Sequence, residues 1–415
     1  MSEHSLNPRR GSRLRNILAA PAMRFRDFRL LWLSGVFNST GFIGEQVVLG
    51  WLVLELSDSP LMVGAALALR MAPFLLLGVI AGAIADRVDR RKLLRGVSIS
   101  MAALSAVISL IIMLDLVALW HLLLITFAGG CLRAMHQPAR QSFAYDIVGP
   151  NNLVNGLSFL SLGMRVGAIG GSLAVGFLVG RLGADVAYMV LAISYIGSAT
   201  TLQFIRSPGQ STSRAQQPLW QNLKELGVEL RQNSTLQVLL ILAATVEILG
   251  FSHQVLLPVI ARDVLDVGAE GLGLMNALRS IGGIAAILAL SSLGEVRRKG
   301  LLYLAVLHIF GMSLLFLGVA DTFYPAILAI IVINGMGALS DILSQSLVQT
   351  VVPNELRGRA MGSWVLAVGL GPVGHLQIGA LASALGVGFA LTAHGAGLVA
   401  LAVGALALFP RLRRL

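Results

Sequence analysis

Apolar stretches of roughly 20 residues recur along the whole sequence, and each has the length that an α-helix needs to cross the hydrocarbon core of a bilayer. A water-soluble domain does not repeat such stretches, because its surface needs interspersed charge. The pattern predicts an all-α integral membrane protein with twelve transmembrane helices. The predicted spans are 28–54, 61–85, 94–114, 117–138, 153–181, 186–205, 236–260, 270–293, 300–319, 323–347, 362–384 and 388–409.

Charged residues make up only 12% of the 415 residues, yet the net charge is +11. A nucleic-acid-binding protein collects its basic residues on a polar domain, and the sequence offers no such domain, so we exclude nucleic acid as a partner. The basic residues fall instead in alternate loops of the twelve-helix arrangement. Because basic residues near helix ends resist translocation, we expect these loops and both termini to be cytoplasmic.

The predicted cytoplasmic side includes Arg90 and Arg91 after the second span and Arg140 after the fourth, whereas the opposite side offers only Arg181 and Arg262. This asymmetry predicts a multi-pass protein of the bacterial inner membrane, surrounded by lipid. The arginine-rich, acid-poor arm at 1–27 would also suit an organellar transit peptide. Pro8 and Pro21 disfavour that alternative, because they interrupt an amphipathic helix.

A polar stretch at 207–234 divides the spans into two sets of six and is predicted to be a cytoplasmic linker. Leucines recur in it at helical intervals, which fits either a helix lying in the cytoplasmic interface or a solvated helical linker. These leucines are Leu219, Leu223, Leu226 and Leu230. The predicted division of the chain is a basic arm at 1–27, a six-helix bundle at 28–206, the linker at 207–234, a second bundle at 235–409 and a basic tail at 410–415.

An internal repeat supports this division. The segment 140–148 can be aligned with 344–352 at an offset of 204 residues, and after a slip of one residue Pro150 aligns with Pro353. Both segments follow the fourth span of their set. The two sets are therefore predicted to be parallel repeats, related by an axis along the membrane normal.

A charged motif follows the second span. Gly82 would allow a close helix contact, Asp86 would face the positive end of another helix, and three arginines would hold a cytoplasmic gate through charged pairs. These arginines are Arg87, Arg90 and Arg91. A run of charges by itself indicates only membrane topology. Topology does not explain the spacing of Gly82, Asp86 and Arg87.

In this motif the sequence resembles the major facilitator superfamily. Other segments are similar to its drug and siderophore exporter branch, which includes the enterobactin exporter: 28–32, 138–141, 352–359, and Gly371-Pro372 ahead of 379–382. The resemblance implies the major facilitator fold and proton-coupled efflux. Two segments depart from the family pattern. Gly171-Ser172 stands where the antiport motif has Gly-Pro, and 294–299 lacks the Asp-Arg pair.

Charged residues inside predicted spans are candidates for function, because each is unfavourable by roughly 2.5–3.5 kcal/mol on insertion scales. Glu45, in the middle of the first span, is the favoured proton-coupling site, with a hydrogen-bonded structural carboxyl as the alternative. Asp341 and Glu247 are second candidates. Arg133 resembles the arginine of the family's fourth-helix motif, which implies pairing with a carboxylate, and an anchor near the helix end is the alternative.

Other residues are candidates for the substrate cavity or for helix packing. Arg70, Arg165 and Arg279 are predicted to contact an anionic substrate group, and the alternatives are that each lies near a water-filled cavity or extends its charged end to the membrane interface. The polar cavity candidates are Asn334, Gln345 and His375, and the packing candidates are Gly163, Gly167, Gly171, Gly176, Gly371 and Pro372. The spacing of four histidines on separate spans would not build a metal site, so the sequence predicts no metal site and no cofactor. These histidines are His253, His308, His375 and His394.

The combined hypothesis is a monomeric secondary transporter that exchanges protons for small amphipathic molecules, drug-like or siderophore-like, by alternating access. An importer or a lysophospholipid flippase of the same fold is an alternative, as is a membrane sensor that does not transport. An enzyme is not expected, because the sequence offers no nucleophile with a plausible base.

Overall fold

The computed structural model describes residues 21–85, 88–209, 233–293, 298–353 and 356–415, and all regular structure in these ranges is helical. The predicted interfacial helix of the linker and most of the basic arm lie outside the described residues. Before the linker, the helices are α1 (Arg26–Ser57), α2 (Pro60–Ala85), α3 (Arg90–Met113), α4 (Leu119–Leu182) and α5 (Ala184–Gln203). After it follow α6 (Ser234–Val264), α7 (Gly268–Leu293), α8 (Lys299–Gly318), α9 (Phe323–Thr350), α10 (Arg357–Val368), α11 (Gly371–Leu385), α12 (Val387–Leu408) and α13 (Pro410–Arg414).

Nine helices within the described ranges are long and apolar enough to cross a membrane. The prediction of an all-helical, multi-pass membrane protein is therefore confirmed. These nine are Arg90–Met113, Asn155–Leu182, Ala184–Gln203, Ser234–Val264, Gly268–Ser292, Lys299–Gly318, Phe323–Thr350, Ala360–Leu385 and Val387–Leu408.

Several consecutive helices are joined by very short turns. Asp58 and Asp115 adopt positive φ angles of 47° and 55° at the ends of α1 and α3, and Gly183 (φ 101°) alone separates α4 from α5. Aspartate tolerates the left-handed region, while the angle at Gly183 strongly favours glycine. Turns this short make the adjoining helices antiparallel neighbours.

The bounds predicted for the fourth span were wrong. The sequence predicted a helix over 117–138 with Arg140 in a cytoplasmic loop, but α4 continues past Pro138 to a kink at Gly149 (φ 69°, ψ 173°), which divides it into a first arm and a second arm. The buried faces of Phe143, Ala144 and their neighbours pack against α1, and this packing keeps the extra turns helical. Arg140 is thus a buried helical residue.

Two further helices are less regular than predicted. After Thr245, α6 passes through a π-helical turn at Val246–Gly250 and a 3-10 turn at Phe251–Leu256. The span predicted as one helix at 362–384 is interrupted between α10 and α11, and Pro372 lies in the first turn of α11, where proline is well tolerated.

The predicted glycine stripe lies where helices approach most closely. A Cβ built on Gly171 would lie 2.5 Å from the Thr40 carbonyl oxygen of α1, and Gly167 faces the same helix. A Cβ built on Gly176 would lie 2.6 Å from the Gly273 Cα of α7. The second arm of α4 therefore packs against helices from both sides of the linker, as small residues at membrane helix contacts allow.

Candidate functional site

A buried ion pair joins α1 to the first arm of α4. Arg133 Nη2 donates a 2.6 Å hydrogen bond to Glu45 Oε2, and the Tyr195 hydroxyl of α5 lies 3.4 Å from the same oxygen. Gly41 permits this approach, because a Cβ there would lie 2.5 Å from the Tyr195 ring. The structure thus brings together two predicted coupling residues and adds Tyr195, which the sequence analysis did not identify.

A second guanidinium enters this site from α2. Arg70 Nη2 donates a 2.7 Å hydrogen bond to the Phe42 carbonyl oxygen, and its Cζ lies 4.0 Å from the centre of the Phe42 ring. Arg133 contacts the same ring at 3.5 Å. Two cations therefore share one aromatic ring and one carboxylate, so the negative charge of Glu45 offsets their mutual repulsion.

Two buried basic side chains extend this site along α4. His136 and Arg140 are 6% and 4% exposed. Arg140 Nη2 lies 2.6 Å from Met164 Sδ, and its Nη1 would lie 2.9 Å from a Cβ on Gly35 of α1. Sequence reasoning missed Arg140 because it placed the end of the helix before that residue, and it did not single out His136 although His136 lies inside the predicted span.

Two acidic residues on helices that follow the linker form a separate pair. Glu247, on the π-helical turn of α6, is 8% exposed and is close enough to Asp341 on α9 for the two carboxyl groups to interact electrostatically. Its Oε1 faces Gly371, the first residue of α11. A helix N-terminus carries partial positive charge, which suits an acid at this position. The structure thus brings both second-choice acids together, and Gly371 makes room for one of them.

The cavity candidates lie on several helices. Arg165 on the second arm of α4 reaches α7, where its Nη1 would lie 2.9 Å from a Cβ on Gly283. Arg279 Nη1 and His375 Nδ1 are buried without a hydrogen-bond partner among the described residues. Asn334, Gln345 and Asp341 are half-buried on α9 at spacings that place them on one face of the helix.

The charged motif after α2 is described in part. Arg90 Nη1 donates a 2.5 Å hydrogen bond to Asp146 near the end of the first arm of α4, and Arg91 donates to the Ile205 carbonyl oxygen. Gly82 lies in α2, whereas Asp86 and Arg87 lie outside the described residues. The partner Asp146 was not predicted from the sequence, because nothing in local spacing relates it to Arg90.

A protein-family model described as transmembrane secretion effector, MFS_3, matches residues 18–415. The chain belongs to this family of major facilitator transporters. The predicted resemblance to the drug and siderophore exporter branch is confirmed, and the family marks the protein as a membrane transporter and not an enzyme.

Two proteins similar to this chain have names that state a transport role. The staphyloferrin A transporter of Staphylococcus aureus (strain NCTC 8325 / PS 47) is 26% identical over 360 residues, covering 83% of this chain and 88% of the relative. Macrolide efflux protein A of Streptococcus pyogenes is 21% identical, covering 69% and 71%.

Solved structures share the fold of this chain. A bacterial homologue of the human lysosomal transporter Spinster, in an inward-facing and occupied conformation, superposes with a TM-score of 0.72 at 17% identity, covering 94% of this chain and 98% of that one. The peptide transporter POT in complex with sulfate gives a TM-score of 0.77 at 13% identity, covering 94% and 95%. At these identities the similarity supports the fold alone.

Proposed function

We propose that this protein is a proton-coupled exporter of small amphipathic molecules that works by alternating access. Twelve transmembrane helices would form two six-helix halves, one before and one after the linker, with both termini in the cytoplasm of a bacterial inner membrane. Alongside the nine apolar spans, Arg26–Ser57, Pro60–Ala85 and the first arm of α4 supply the remaining three. The protein would act as a monomer.

The observation that carries the proposal is the buried pair between Glu45 and Arg133. A carboxylate paired with a guanidinium holds its negative charge, whereas protonation removes that charge and frees the arginine. One site thus has two states that differ by one proton. A transporter that alternates the access of such a site between the two sides of the membrane can couple proton entry to substrate release.

Contacts between the helices before the linker and those after it support a rocking motion of the two sets. Arg262 of α6 donates to Asp58 at the end of α1, and the Leu61 backbone N–H of α2 donates to Ser383 Oγ of α11 at 2.9 Å. Deeper in the molecule, Gln46 Nε2 lies 3.3 Å from Gln254 Oε1. Since Asp58 and Arg262 lie on the predicted extracytoplasmic side, we assign this conformation a closed outer end. In the outward-open state, Asp86, Arg87 and Arg90 would latch the opposite end.

The direction of transport rests on relatives whose names state efflux of macrolides or transport of staphyloferrin A. An importer or lysophospholipid flippase of the same fold would keep the same helices, and a sensor would keep them without transport.

The test is proton movement in proteoliposomes that hold the purified protein and an internal pH dye, with a panel of lipophilic drugs and siderophores. We expect substrate-triggered proton flux in the wild type and none in Glu45→Gln. Glu270→Gln is the matched control, because Glu270 also pairs with an arginine, Arg181, but at an exposed position. Flux that survives Glu45→Gln would remove Glu45 from coupling, and transport without proton flux would favour the flippase or the importer.

A further inference from the structure

The basic residues of the site in the first half outnumber its acids. Arg70, Arg133 and Arg140 lie within the protein, and Glu45 is the one carboxylate among the described residues that pairs with any of them. Of these three guanidinium charges, two are therefore left without a counter-charge. Unpaired charges in a low-dielectric interior are strongly unfavourable, so the site is built to receive negative charge from elsewhere.

Arg140 shows this excess of positive charge most clearly. It is 4% exposed, its hydrogen-bond partner among the described residues is the neutral thioether of Met164, and it lies against Gly35. Its Nε has no hydrogen-bond partner in the described part of the chain, and the same is true of Arg70 Nε and Arg133 Nε. Guanidinium groups bind carboxylates through paired N–H donors, and these donors are available for such a ligand.

The spacing of these groups indicates a ligand with more than one acidic group. Arg133, His136 and Arg140 follow one another at spacings of three and four residues, so they share one face of α4. Arg133 and Arg140 are seven residues apart, which is about 10 Å along a helix. A single small monoanion would neutralise one of the two excess charges and leave the other without a counter-charge.

We infer that this face of α4 binds an organic anion that carries two or more carboxylates, with Arg140 as a principal substrate ligand. The inference rests on the proposed transport function and names its substrate class. Arg70 and Arg133 have one carboxylate between them, so this part of the site adds to the positive potential that attracts the anion. A lipophilic cation would meet an excess of positive charge here and is disfavoured.

Equilibrium binding to the purified protein in neutral detergent at low salt tests this inference. The probes are citrate and suberate, each paired with its methyl ester, which keeps the carbon skeleton but removes the charge. We expect the acids to bind at least about tenfold more tightly than their esters, and added NaCl to weaken only the acids. Arg140→Gln is expected to raise the Kd of the acids by about 10- to 100-fold, and Arg140→Lys by less.

Arg181→Gln is the matched control and is expected to leave the Kd unchanged, because Arg181 is an exposed arginine at the other end of α4. Esters that bind as tightly as the acids would overturn the inference, as would unchanged binding in Arg140→Gln. Tight binding of tetraphenylphosphonium without binding of either acid would also overturn it. Should Arg140→Gln fail to fold, the inference is tested by comparing acids with esters on the wild type and on Arg140→Lys.

Binding is measured without a proton gradient, which separates this inference from the proposed coupling. Failure of the anions to bind leaves any drug-driven proton flux intact. Conversely, anion binding without any proton flux would contradict the coupling and leave the anion site standing.

Discussion

Arg133 on α4 lies 2.6 Å from Glu45 on α1, and the Tyr195 hydroxyl of α5 contacts both partners. Three helices are therefore held together at one buried charge pair. Removal of either partner leaves an uncompensated charge or an unpaired polar group inside the protein, so the pair is expected to matter for stability as well as for the proposed coupling.

Breaking this pair from either side is expected to lower the free energy of unfolding by roughly 3 kcal/mol. Glu45→Gln and Arg133→Gln should each show this loss, because each removes the hydrogen-bonded counter-charge of a partner that is largely withdrawn from water. The double variant should lose much less than the sum of the single losses, since it removes both charges. Reversible unfolding in mixed micelles measures the three variants, and strictly additive losses would contradict the pairing.

Two adjacent glycines of α4 provide a matched test of helix packing. A Cβ on Gly171 would lie 2.5 Å from the Thr40 carbonyl oxygen, whereas one on Gly170 would meet no atom within 4 Å. Gly171→Ala should therefore destabilise the protein by about 1–3 kcal/mol through overpacking against α1. Gly170→Ala should be neutral or slightly stabilising, because alanine favours the helix. Thermal unfolding in detergent distinguishes them, and equal effects would contradict this packing.

The outer contact between Asp58 and Arg262 is expected to hold the closed outer end. Asp58→Asn should weaken it by about 0.2–1 kcal/mol, because Asp58 is well exposed, and so raise the population of the outward-open state by up to about fivefold. Spin labels at Leu116→Cys and Val319→Cys in a Cys131→Ser background report the distance by electron paramagnetic resonance. The expected result is a larger long-distance fraction.

Asp321→Asn is the control for this measurement, because Asp321 follows α8 near the labelled Val319 and has no ion pair to another described residue. An identical distance distribution in the wild type and Asp58→Asn would remove this contact from the gate.

Asp27, ahead of the predicted first span, gives a prediction for pH. Partial burial raises the pKa of its carboxyl, but hydrogen bonds from Ser207 and from the Arg206 backbone N–H outweigh this effect and hold the pKa below its ordinary value. Its contribution to stability is therefore fully present above about pH 4, the unfolded-state pKa, and is lost as the pH falls below that value.

The difference in unfolding free energy between wild type and Asp27→Asn should accordingly shrink below about pH 4, as measured by denaturant unfolding across a pH series. A difference that grows on acidification would contradict the assigned hydrogen bonds.

Most spans were predictable because a membrane-crossing helix needs a long apolar stretch, which is visible in the sequence. Apolar length sets where a span can lie, and the turns at Asp115 and Gly183 fall where the sequence predicted them. The end of the fourth span was not predictable, because polar residues such as Arg140 signal a loop unless another helix covers them. This part of α4 packs with Phe28 on α1 and therefore stays helical. Such a tertiary contact is not visible in the local sequence.

The candidate site was predictable in its residue types but not in its pairings. An acid or an arginine inside a span is conspicuous, so Glu45 and Arg133 were found. Their contact with Tyr195, and the contact of Arg90 with Asp146, depend on how helices distant in sequence are placed side by side. No spacing rule relates such positions, so these partners had to come from the structure.

The length of the first arm of α4 has a mechanical consequence. Residues 119–148 extend for about 45 Å at 1.5 Å per residue, against a hydrocarbon core of about 30 Å. The arm is therefore longer than the hydrocarbon core is thick, and its Asp146 end lies about 20 Å along the helix from Arg133. Any tilt of α4 about the charge pair would move this end, which is bonded to Arg90, much farther than the residues beside Arg133.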